Sequence, residues 1–215
     1  MSLHDIPLKE LYRSDRDDII AEFFVPCLAN CIEYDRCVER ISAKSLTTII
    51  LAIGNEPATK VRIVSGHRFG AADIALMNKI FSNNTSIVGD FIRDTKLNKL
   101  QEAVRQNRLA VKVAVSNDEE VSGMFTERVG IFTDKSGDMV AFTGTSPHTF
   151  DMQDRDFESV DVFTSWNDAS RTMTKMQDFE NLWENKTKYL ELYDYAKAER
   201  ENVLKYSSEW ATDLE

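Results

Sequence analysis

The 215-residue sequence is poor in the residues that specialise a chain: four prolines, eight glycines and three cysteines. So little proline and glycine excludes collagen and low-complexity linkers. Three clustered cysteines, an odd number, exclude a disulfide scaffold. No apolar run reaches the roughly 18 residues of a membrane-spanning helix. The N-terminus, Met-Ser-Leu-His-Asp-Ile-Pro, lacks the basic-then-apolar pattern of a signal peptide. These absences predict a cytoplasmic protein without membrane contact. No P-loop, dinucleotide glycine fingerprint, zinc spacing or nucleophile elbow occurs, so neither a cofactor nor a metal is expected. Basic charge is scarce as well. Twenty-six Lys and Arg face 36 Asp and Glu, a formal net charge of −10. Bulk electrostatics will not hold nucleic acid to such a chain, and any such role needs a local basic site.

What is present is a globular composition, 42% apolar and 29% charged, at a length that suits one domain. The charge is unevenly spread. Residues 1–110 carry 15 basic and 14 acidic side chains, whereas residues 111–215 carry 11 and 22. The deficit sits mainly in the last third. Cys27 and Cys31 are four apart and share a helix face. With no histidine or fourth cysteine nearby, they read as small buried apolar residues.

The periodicity predicts mixed helices and strands. Ser14-Asp15-Arg16-Asp17-Asp18 has the capping and acidic first-turn pattern of a helix start. Pro26 then either kinks the apolar segment after it or opens a second helix. Strands are expected at Tyr34–Ser42, Val61–Ser65, Leu109–Val115, Met124–Thr133, Met139–Thr145 and Ser159–Thr164. Charged Glu39-Arg40 interrupts the first of these. Helices are expected at Lys44–Ile53, Ala71–Phe81 and Thr95–Arg108, the last with Leu97, Leu100, Ala103 and Val104 on one face. A helical pattern runs from Asp168 to about Tyr206, with Met173, Met176, Phe179, Leu182 and Trp183 as an apolar stripe. Asn185 and Lys186 offer a point at which it could divide into two helices. Residues 84–91 are ambiguous. Asp134-Lys135-Ser136-Gly137-Asp138 is a hairpin loop. The fold class is α/β (mixed α+β), a mixed sheet flanked by helices.

Chemistry is best sought around that hairpin. Strand alternation places Thr126, Arg128 and Gly130 on one face, with Gly130 leaving space beside Arg128. The return strand brings Gly144-Thr145-Ser146 back near Arg128. A cation, hydroxyls and backbone N–H groups would converge there and could hold a phosphate. An ordinary hairpin with an exposed arginine is the alternative.

Val129-Gly130-Ile131-Phe132-Thr133-Asp134, Gly137 and Val140-Ala141-Phe142-Thr143-Gly144 resemble the signature hairpin of phospholipase D-like domains. The similarity is to those fused to bacterial DEAD/DEAH-type helicases and restriction-linked proteins. Ile20–Leu28 with Tyr34–Val38, Val61–Ser65, and Phe157–Trp166 with Asp178–Trp183 fit the same group. The resemblance spans about residues 5 to 187. It implies a phospholipase D-like domain over 1–187, leaving 188–215 as a helical extension packed on the domain or a partner. It also implies a metal-independent phosphodiesterase site, with a histidine nucleophile, a lysine and an asparagine on the phosphate, and two copies paired as a homodimer.

The sequence departs from that motif. Thr126 stands at the histidine position and Arg128 at the lysine, with Asp134 one residue late. Gly144-Thr145-Ser146-Pro147 replaces Gly-Ser-x-Asn. Arginine preserves phosphate binding, but threonine is a poor nucleophile without an activating base. His148, or His67 beside Arg68 at a strand end, are the histidines that could enter the site. Glu127 faces away from Thr126 under alternation. If catalysis survives, Thr126, Arg128, Asp134 and His148 are its candidates. The phosphate-binding candidates are Arg128, Gly144, Thr145, Ser146, His67 and Arg68. The expectation is a degenerate, catalytically silent module of a restriction or phage-defence system. Its partners would be DNA through a local site, a helicase or restriction subunit, or a second copy of itself. An active homodimeric endonuclease and a regulatory domain without nucleic-acid contact are the alternatives.

Overall fold

The computed structural model describes residues 1–54, 59–81, 95–117, 123–145 and 156–206. An eight-stranded mixed sheet organises them. Its strands are β1 (Leu11–Arg13), β2 (Glu33–Val38), β3 (Lys60–Gly66), β5 (Leu109–Ser116), β6 (Val129–Thr133), β7 (Met139–Thr143), β8 (Ser159–Thr164) and β9 (Leu190–Asp194). The order across the sheet is β1-β8-β7-β6-β2-β3-β5-β9. β2, β3 and β5 are parallel, and all other neighbours are antiparallel. Two short strands, β4 (Arg68–Phe69) and β10 (Lys205–Tyr206), pair in parallel beside it. Parallel neighbours need crossovers, and helices provide them. α2 (Ala43–Ile53) joins β2 to β3, while α3 (Ala71–Phe81) and α4 (Thr95–Arg105) lie between β3 and β5.

Strand alternation builds two different faces. Tyr34, Phe132, Phe142, Val160 and Val162 belong to the larger core, with Phe23, Phe24 and residues of α2, α3 and α4. Tyr34 stacks on Phe132 at 4.6 Å, and Phe24 meets Phe142 edge-on at 5.1 Å. Gly130 makes this packing possible. A Cβ there would lie 2.0 Å from the Phe142 ring. The space expected beside Arg128 is therefore a seat for an aromatic ring. The opposite face carries Cys37, Val64, Ile131 and Ala141 and is covered by α5 (Ala169–Trp183) through Phe179 and Leu182.

Several expectations need correction. Ser14 starts no helix. Its N–H donates to the Glu158 carbonyl at 3.0 Å, and its hydroxyl accepts from Glu158 N at 2.8 Å, which prolongs the β1–β8 pairing. After this strand, helical structure starts with a π turn, Ile20–Phe24, which passes into α1 (Val25–Asn30). Pro26 sits in the first turn of α1, a position where proline is tolerated. The first strand stops at Val38, and Ser42 caps α2 by accepting from Ser45 N at 3.0 Å. β6 begins only at Val129, and β7 ends at Thr143 because Gly144 turns to φ +99°. Met173 is exposed rather than part of the stripe.

The largest correction concerns the C-terminus. The pattern from Asp168 is not one helical run. α5 ends at Trp183, Leu190–Asp194 is the edge strand beside β5, and α6 (Tyr195–Arg200) is short. Asn185 (φ 60°), just past the Glu184 cap, adopts a left-handed conformation that stops the helix, and Tyr189 (φ 69°) adopts another just before the strand. Residues 188–206 are thus partly sheet, packed on the domain, and no helical extension. The ambiguous segment 84–91 and the tail from 207 lie outside the described residues. Among the described residues, no helix is long and apolar enough to cross a membrane.

Candidate functional site at the sheet edge

The C-terminal ends of β2, β3 and β7 meet the lead-in to β6 at one edge of the sheet. Gly66 holds them together. A Cβ on it would lie 2.5 Å from the Glu39 carbonyl oxygen and 3.2 Å from that of Phe125. The return strand arrives as expected, with Gly144 N–H donating to the Arg128 carbonyl at 3.3 Å. That bond occupies the amide proposed for phosphate. Gly144 is also fixed in place, since a Cβ on it would lie 2.1 Å from Ser159 O.

Thr126 and Arg128 are exposed on this edge. Among the described residues, no base hydrogen-bonds the Thr126 hydroxyl. Glu127 lies near Lys175 and Asp178 of α5, where partial desolvation raises its carboxyl and Lys175 draws it down. Arg128 Nη2 contacts Glu39 Oε2 at 2.9 Å, with the two side chains 43% and 29% exposed. Sequence reasoning missed this partner. Its one signal was the charged Glu39-Arg40 pair that interrupts the alternation of the expected strand. Thr145 is wholly buried, and its Oγ1 has no hydrogen-bond partner among the described residues. Glu158, at the start of β8, is a further buried acid that the sequence did not single out.

His67 lies at the end of β3 and is buried. Desolvation lowers its pKa, with Lys205 and Arg68 adding to the effect, while a hydrogen bond to the Ala114 backbone opposes it. That bond turns its ring toward β5. Arg68 is exposed at the start of β4. Ser146 and His148 lie outside the described residues.

Asp134 is not brought to this edge. It stands at the other end of β6, beyond about 13 Å of strand. Oδ2 accepts from Ser2 Oγ at 2.8 Å and Leu3 N at 2.9 Å. Oδ1 accepts from Ser136 N at 2.8 Å and Asp138 N at 3.0 Å. Burial alone would raise its carboxyl, but these bonds outweigh it and hold the pKa below its ordinary value. Its expected place among the catalytic residues is thereby corrected. It ties the hairpin turn to the N-terminus.

A separate charged cluster lies on the α5 face. Arg62 holds Asp35 in two contacts of 2.6 and 2.7 Å and reaches Glu180 at 2.6 Å and Glu33 at 3.3 Å. Its guanidinium lies over Phe179 at 5.1 Å. Burial pushes the Asp35 carboxyl up to about 7, against the pull of Arg62 and with a push from Glu33 and Glu180. The cluster fastens α5 to β2 and β3. Among the described residues, no group of three or more His, Cys, Asp or Glu could hold a metal ion.

No family model matches the chain. No curated protein matches it either. Solved structures are similar in fold. NucT from Helicobacter pylori has a TM-score of 0.49 at 12% identity, over 81% of this chain and 94% of that one. Phosphatidylserine synthase from Haemophilus influenzae Rd KW20 has 0.47 at 8%, over 85% and 39%. TrmBL2, an archaeal chromatin protein with a novel mode of DNA binding, has 0.43 at 10%, over 82% and 53%.

Proposed function

We propose that this chain is a phospholipase D-like domain that has kept the fold and lost phosphohistidine chemistry. It binds phosphate groups of DNA at the sheet edge around Arg128. The observation that carries this reading is the pairing of Thr126 and Arg128 on that edge. The position that the resemblance gives to a nucleophilic histidine holds an exposed hydroxyl to which, among the described residues, no base is hydrogen-bonded. Two residues on stands a permanent cation at a strand terminus, where open sheets bind ligands. His67 is buried, with its ring hydrogen-bonded to the Ala114 backbone of β5, which supports the loss of acid–base chemistry at Thr126. A restriction or phage-defence setting, with a helicase or restriction subunit as partner and pairing of two copies, follows from the resemblance and belongs to the same proposal.

The test uses the purified chain with plasmid and oligonucleotides in EDTA. The expected result is no cleavage, together with a salt-sensitive DNA shift that Arg128→Ala abolishes. Cleavage lost in Thr126→Ala or His148→Ala overturns the reading in favour of an active nuclease. Neither cleavage nor a shift overturns it in favour of a protein-binding role.

A further inference from the structure

We infer that Glu39 is a charge filter on Arg128 that shifts the site's selectivity toward a singly charged phosphodiester and away from a doubly charged phosphate. This rests on the phosphate-binding reading and adds a specificity-determining residue to it. Glu39 Oε2 sits 2.9 Å from Arg128 Nη2. Both backbones are held. The Glu39 carbonyl packs against Gly66, and the Arg128 carbonyl accepts from Gly144 N. The carboxylate is thus built into the edge beside the cation.

The contact engages Nη2, and a guanidinium offers five N–H donors. Glu39 therefore leaves Arg128 donors for a ligand, and its effect on that ligand is chiefly electrostatic. An anion on those donors lies a few ångströms from the Glu39 charge. Coulomb repulsion scales with the ligand's own charge. A phosphodiester carries one negative charge, whereas a terminal or free phosphate carries roughly −1.5 to −2 near pH 7 and approaches −2 as pH rises. The same carboxylate penalises the second about twice as strongly as the first. The attraction of Arg128 scales with ligand charge in the same way, so Glu39 narrows the advantage of a dianion over a monoanion and shifts the site, relative to a lone arginine, toward internal backbone.

The experiment is competition for a fluorescein-labelled single-stranded oligonucleotide at low salt and about pH 8, where inorganic phosphate is mostly dianionic. Inorganic phosphate and dimethyl phosphate are the two competitors. Wild type, Glu39→Gln and Arg128→Ala are compared, with circular dichroism to confirm that each is folded. In Glu39→Gln, half-displacement by inorganic phosphate is expected at about fivefold lower concentration, and by dimethyl phosphate at about twofold lower. Equal shifts for the two competitors, or none, overturn the filter while the phosphate site stands. If Arg128→Ala binds the oligonucleotide as wild type does, or no variant binds it, the phosphate reading itself falls. Glutamine keeps the shape and a hydrogen-bonding oxygen, so a purely steric or structural role would leave the ratio of the two shifts unchanged.

Discussion

The two ends of β6 each carry a carboxylate, and they are built in opposite ways. At one end Asp134 is buried, and both of its oxygens are filled by donors from the N-terminus and the hairpin turn. At the other, Glu39 makes a part-exposed pair with Arg128, beside an exposed Thr126. The first arrangement is saturated and serves the fold. The second leaves charge and hydroxyl facing solvent, which a fold has no need of. Function is to be sought where polar groups are held but unspent.

Three substitutions test that contrast. Gly130→Val, between the two ends, forces a side chain into the Phe142 ring and is expected to cost about 3–5 kcal/mol in urea unfolding. A cost under 1 kcal/mol would mean that the aromatic stack yields easily. Asp134→Ala leaves buried amides unpaired and is expected to cost about 2–4 kcal/mol. Its pH dependence has a definite sign. The folded carboxyl is held below its ordinary 3.8, so the stability it brings is full above that value. That stability is lost as pH falls through the folded pKa. Melting curves of wild type and Asp134→Ala should therefore converge in acid. Curves that stay parallel would refute the clamp. Arg128→Ala removes only a surface pair and should change stability by less than about 0.5 kcal/mol. A much larger loss would make the pair structural and erase the contrast between the ends.

Much of the fold was legible because apolar alternation and helical spacing leave plain marks. The elements at Lys60–Gly66, Ala71–Phe81, Leu109–Ser116 and Ser159–Thr164 fall within a residue of expectation. The region after Trp183 was not legible. Leu190–Asp194 is a half-buried edge strand of five residues, too short to contradict the helical pattern that precedes it. Its identity is set by β5, which lies far away in sequence. The site was half legible. Hairpin geometry brings Gly144 to Arg128, and that follows from local pairing. Glu39 reaches Arg128 across 89 positions, and Asp134 meets Ser2 across 132. Such distances leave no local pattern.

The edge strand Leu190–Asp194 has a companion in Asn185, whose side-chain oxygen accepts from Leu192 N at 2.8 Å. An exposed strand edge is a template for another chain's strand, and so for aggregation. In this sheet the central donor of that template is already engaged by a neighbouring amide. The left-handed turn at Asn185 thus also guards the protein against growing strand by strand into fibrils along its own rim.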